Sequence, residues 1–126
     1  MITLKDFLMG REVEHPITDD LLFNAQETIG RVNMLLEKFG SFREVSSGYR
    51  PAAINARTPG ASPKSKHMTC EAIDLEDVNG ELGNWCIKNM DTMKEYGLYA
   101  EDPRDTPTWF HLQTVPPKSG KRIFRR

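Results

Sequence analysis

Between Thr18 and Phe39 apolar residues return every three or four positions: Leu21, Leu22, Ala25, Ile29, Val32, Leu35, Leu36 and Phe39. That spacing gathers them on one face, so the stretch predicts a long amphipathic helix. Thr18 can cap its first turn, Asp19 and Asp20 suit the positive end of its dipole, and Gly40 can stop it. The period then changes. "FREVSSGY" (42–49) reads as a short strand. Residues 50–66, "RPAAINARTPGASPKSK", hold three prolines and a Pro-Gly turn with neither helical nor strand periodicity, which predicts a long loop of the kind that is usually functional or disordered. "EAIDLEDV" (71–78) predicts a strand with Ile73 and Leu75 on one side and Ala72 and Asp74 on the other. "ELGNWCIKNMDTMKEYG" (81–97) predicts a second helix that buries Leu82, Trp85, Cys86, Met90 and Met93 and ends at Gly97. Two further strands are expected in "LYAED" and "TWFHLQTV", joined by the polar turn "PRDTP". In the second of them Phe110 and Leu112 face one way and Trp109, His111 and Gln113 the other.

This order lacks regular strand and helix alternation, so it predicts an α+β domain with a small, mostly antiparallel sheet and flanking helices. With 126 residues there is room for one domain and a real core, and hardly for two. No run approaches the roughly 18 apolar residues of a membrane span, and "MITLKDFLMGRE" is not a secretory signal. The expectation is synthesis in the cytoplasm with export by some other agent. On the same ground Cys70 and Cys86 are expected to be free thiols, and neither belongs to a CxxC pair.

The net charge is −1, but the last nine residues, "KSGKRIFRR", carry five of the 17 basic side chains and no acid. Residues 1–117 are therefore read as the domain and 118–126 as a basic tail, either solvated or able to steer the protein to a polyanion. No nucleic acid is expected as partner, because the body is acidic and shows no basic patch interleaved with aromatics.

Of three histidines, two stand beside predicted strands: His67, seven residues before Asp74, and His111 in "WFHLQ". Two imidazoles and a carboxylate suit zinc and leave its fourth position open, as catalytic sites do. Hydrogen-bonded structural histidines are the competing reading of the same residues. His15, before Pro16, is expected to be exposed, and Tyr49 could line a cleft or pack. "EDVNGE" lacks the spacing of a calcium loop and reads as a hairpin or a turn into a helix.

"SSGYRPAAIN", then "SPKSKHMTCEAIDL", then "TWFHLQ" resembles the murein peptidases of family M15, the zinc D-Ala-D-Ala carboxypeptidases and L-alanyl-D-glutamate endolysins, whose fold is shared with the hedgehog signalling domain. The matching positions are Ser47, Gly48, Tyr49 and Arg50; Ser65, His67, Ala72 and Asp74; and Trp109 with His111. The resemblance implies a hedgehog/DD-peptidase-like fold, a zinc ion held by His67, Asp74 and His111, and a peptidoglycan stem peptide as substrate. It also implies that Arg50 and Ser65 grip a substrate carboxylate, which a planar guanidinium and a hydroxyl are suited to do. Small size points to a phage-type member reaching the wall by holin-type release or as a virion component.

Two positions depart from the family pattern. Cys70 stands where a glycine is usual, and Thr108 stands where the general base is usual and cannot accept a proton. A hairpin of the last two strands would return a nearby acid to the site, which makes Glu101 the first candidate for the base and Asp102 the second. Two other classes stay open on these residues: a non-catalytic zinc module of the same fold, and a phage structural or polyanion-binding protein. The bond cleaved and the oligomeric state are not legible.

Overall fold

A computed structural model describes all 126 residues. The long amphipathic segment forms a helix, Asp19–Phe39, which we label α2 because a short helix α1, Leu4–Leu8, precedes it. Thr18 caps α2 by accepting from the Leu21 amide, and Gly40 ends it in the left-handed region at φ 90°. Its buried face, Ala25, Ile29, Val32, Leu35 and Leu36, belongs to one core with Phe7, Ile73, Leu75, Phe110 and Leu112. Phe7 comes from α1 and the other four from the inner face of a sheet, so the helices cover one side of the sheet and leave the other for chemistry.

The sheet has five strands: β1 Val45–Ser47, β2 Ala72–Glu76, β3 Tyr99–Glu101, β4 Trp109–Gln113 and β5 Ile123–Phe124, in the spatial order β1-β2-β4-β3-β5. All neighbours pair antiparallel except β3 and β5, which run parallel. The molecule is thus the α+β domain expected, with one strand that was not. That strand lies in the segment read as a basic tail. Residues 122–126 are bound to the domain: Ala100 donates to the Arg122 carbonyl at 2.8 Å and Asp102 to that of Phe124 at 2.7 Å. Arg122 stacks over Tyr99, its Cζ 4.1 Å from the ring centre, and Arg125 makes two hydrogen bonds to Asp105. Of the five basic side chains that suggested a free tail, Arg125 and Arg126 pair with Asp105 and Glu101.

Two other expectations are corrected. The loop 50–66 contains a one-turn helix, α3 Ala52–Ala56, with Pro51 as its N-cap. The helix expected over 81–97 is two, α4 Glu81–Lys88 and α5 Met90–Glu95, broken at Asn89. The Asn89 side chain donates to the Trp85 carbonyl at 2.8 Å, a local bond that competes with the helical ladder and lets the backbone leave it at φ −126°, ψ 48°. "EDVNGE" is a turn into α4, where the Asp77 carboxylate accepts from the Leu82 and Gly83 amides at 3.0 and 2.9 Å. Both cysteines are free and buried.

Candidate active site

The site follows from sheet register. Ser47 lies opposite Asp74, Asp74 opposite His111, and Glu101 opposite Phe124. The β3–β4 pairing, Tyr99 to Gln113 and Ala100 to Leu112, continued by one residue sets Glu101 opposite His111. Directly opposed residues share a face. One row across all five strands therefore carries Ser47, Asp74, His111, Glu101 and Phe124, on the face away from the helices. His67 joins it from the loop before β2, so the His67, Asp74 and His111 ligand atoms all lie within 4.8 Å of one another.

Hydrogen bonds settle which nitrogen of each ring faces the carboxylate. His67 Nδ1 lies 2.9 Å from the Gly48 carbonyl, which can only accept, so Nδ1 carries a proton and Nε2 faces Asp74 Oδ2, 3.2 Å away. For His111 the decisive neighbour is Gln113. Its amide nitrogen donates to the Val115 carbonyl at 2.8 Å, which leaves Oε1 to accept from His111 Nε2 at 2.8 Å. His111 Nδ1 then faces Asp74 Oδ1 at 2.9 Å. With both rings neutral, two lone pairs would face one buried anion and repel it unless a cation lay among them. A proton can fill one gap, and a metal ion fills both. The donor set of two imidazoles, each oriented by a further hydrogen bond, and a carboxylate fits zinc with a position to spare.

Without metal the same geometry appears in the acidities. Burial opposes a charge on His111, but the hydrogen bond and attraction to Asp74 outweigh it, so its pKa is raised above the usual imidazole value. Burial would likewise raise Asp74, yet charge attraction and hydrogen bonds from His67 and His111 hold its carboxyl well below the carboxylate range.

Arg50 is held beside this cluster. Its guanidinium donates to Ser47 Oγ at 3.1 Å and Asn55 Oδ1 at 3.3 Å, and reaches Asp74 Oδ2 at 3.7 Å. Asn55, buried on α3, in turn donates to the Ser62 carbonyl at 2.9 Å and ties the following loop down. Ser65 sits in that loop, its Oγ accepting from the His67 amide at 3.2 Å. Arg50, Ser65, His67, Asp74, Glu101 and His111 all line one cleft of about 1130 Å³, large enough for a peptide.

The two acids proposed for proton transfer separate. Glu101 lines the cleft at 7% exposure, its carboxylate paired with Arg126, Nε to Oε1 at 2.9 Å. Asp102, one residue on, turns off that face, and Arg104 grips both its oxygens at 2.8 and 3.1 Å. The strand alternation that points Glu101 into the cleft points Asp102, the second candidate for the base, out of it. Cys70 takes no part in the cluster. It is fully buried at φ 61°, a left-handed conformation that favours glycine, and burial pushes its thiol up to about 12. Tyr49 packs, its hydroxyl donating to the His15 carbonyl at 3.0 Å. Gln113, Asn55 and Arg126 were not singled out in the sequence as site residues. The only prior sign of Gln113 was its place two residues from His111 on the same strand face.

The family model for peptidase M15 matches residues 7–103, most of the chain. The chain belongs to that peptidase family. No curated protein and no solved structure matches it. The family match ends before β4, so His111 and Arg126 lie outside it and enter the site through the sheet register alone.

Proposed function

We propose that this protein is a zinc-dependent peptidase that hydrolyses peptide bonds in the stem peptides of bacterial peptidoglycan. The observation that carries the reading is the convergence of two imidazole nitrogens on one buried carboxylate, at the floor of a peptide-sized cleft in an M15 family chain. His67, Asp74 and His111 would hold the ion. Zinc supplies Lewis acidity, polarising a scissile carbonyl and making water nucleophilic near neutral pH.

The remaining work falls to the chain. Glu101, opposite His111, would take the proton of the attacking water on its carboxylate and return it to the leaving amine. Its nearly complete burial keeps bulk water from competing. Arg50 would hold a substrate carboxylate; Asn55 and Ser47 already fix its guanidinium, so little rotamer freedom is lost on binding. Ser65 Oγ would add a hydrogen bond from the opposite loop. The place of action would be the cell wall, reached by holin-type release or from a virion.

A non-catalytic zinc module is the second reading, favoured by one observation: Arg126 occupies the only cleft acid apart from Asp74. Release of amino groups from purified peptidoglycan, with zinc and after chelation, separates the two. Zinc-dependent release that Glu101→Gln abolishes, with zinc still bound, supports the peptidase. A protein that holds one zinc per chain and releases nothing supports the module.

A further inference from the structure

The cleft is far more cationic than the chain. Six of the 17 basic side chains line it, Arg50, Lys64, Lys66, Lys118, Arg125 and Arg126, but only two of the 18 acids. Arg50 is committed to the metal-site end, against Ser47, Asn55 and Asp74. The others come from the loop after α3 and from the segment carrying β5, which face each other across the opening. Lys64, Lys66 and Lys118 are exposed and make no ion pair.

Arg126 is the best defined of these. It lies two residues beyond Phe124, so strand alternation brings it to the same face as Glu101. One edge of its guanidinium, Nε and Nη2, is spent on Glu101 at 2.9 and 3.5 Å. The Nη1 end bonds to nothing in the chain and reaches toward the far wall, 3.8 Å from where a Cβ on Gly60 would sit. The side chain remains 55% exposed although its other edge is anchored. An anchored guanidinium with free N–H groups, among unpaired lysines, is a preorganised site for a carboxylate.

We propose that Arg126, supported by Lys64 and Lys118, forms a second carboxylate subsite, distinct from Arg50 and Ser65 and on the Glu101 side of the cleft. The proposal rests on the peptidase reading for its substrate class: a peptide with two free carboxylates, one for Arg50 and one for Arg126. A neutral or singly charged peptide would fill only one end. Because the subsite lies at the mouth, its attraction is screened, and the preference weakens as salt is raised.

The test is binding, read apart from cleavage. Zinc-loaded protein is titrated with L-Ala-γ-D-Glu-L-Lys, which carries two free carboxylates, and with the same peptide bearing a D-Glu carboxamide, following affinity and the Arg126 side-chain N–H signals. The dicarboxylate is expected to bind about five- to tenfold tighter at low salt and to shift those signals, as a charge-assisted bond at a half-exposed site should. Arg126→Ala is expected to reduce the preference below about twofold, with Lys118→Ala intermediate and Lys94→Ala, outside the cleft, unchanged. Equal affinities in the wild type, or a preference that survives Arg126→Ala, overturn the subsite. Hydrolysis without the preference leaves the peptidase reading standing and removes this one; the preference without hydrolysis does the reverse.

Discussion

Replacing Gln113 with leucine should weaken zinc binding more than it weakens the fold. Gln113 is buried, and its Oε1 is the acceptor for His111 Nε2 at 2.8 Å. Leucine has a similar volume and no acceptor. A buried N–H left unpaired costs about 1–3 kcal/mol. The metal-free protein can avoid most of that by moving the ring proton to Nδ1, where Asp74 Oδ1 waits 2.9 Å away. The metal-bound protein cannot, because Nδ1 must keep its lone pair for the ion. The cost therefore falls on affinity, about 10- to 100-fold or roughly 1.4–2.7 kcal/mol, as is typical when the partner of a ligand histidine is removed. Competition against a chromogenic chelator measures the affinity, and melts with and without zinc measure the rest. Gln113→Glu keeps the acceptor and should stay within about threefold of the wild type. Zinc affinity within twofold of wild type in the leucine variant, or equal destabilisation of the metal-free and zinc-loaded forms, would refute the tautomer argument.

Further outcomes follow from the same geometry. Gly48→Ala would drive a Cβ onto the Phe7 carbonyl, which also accepts from the Tyr49 amide at 2.9 Å; a loss of about 3 kcal/mol or more is expected in urea unfolding. Cys70→Ala should keep one zinc per chain, since the thiol is outside the ligand cluster, while Cys70→Val should cost about 2 kcal/mol because a β-branched residue resists φ 61°. For pH, the raised His111 pKa means that its proton stabilises the metal-free fold. That contribution is complete below the ordinary imidazole value of about 6.5 and is lost as pH rises through the raised one. Asp74, with a depressed pKa, contributes above its ordinary value of 3.8 and loses that contribution as pH falls. Urea unfolding should therefore show the metal-free protein losing stability as pH rises past the ordinary imidazole value while the zinc-loaded protein, whose ion replaces the proton, does not. A metal-free protein that gains stability with rising pH there would contradict the assigned shift.

The sequence by itself determined whatever depends on local periodicity and side-chain chemistry. The helix over residues 19–39 was legible because its buried stripe, N-cap and terminal glycine all agree. The strands 72–76 and 109–113 were legible from alternation, and a ligand set of His67, Asp74 and His111 could be put forward because few other residue types suit zinc. Only the tertiary structure decided what depends on register and distance. A two-residue strand has no readable period, so Ile123–Phe124 looked like part of a charged tail until β3 offered it a parallel edge. The same pairing brings Arg126 to Glu101 across 25 residues of sequence. Glu101 and Asp102 are adjacent acids of nearly equal chemistry, and it is the pleat, which sends neighbours to opposite faces, that gives one to the cleft and the other to Arg104. The proton positions on His67 and His111 were beyond any motif, since they depend on a carbonyl at Gly48 and on an amide that Val115 holds in place.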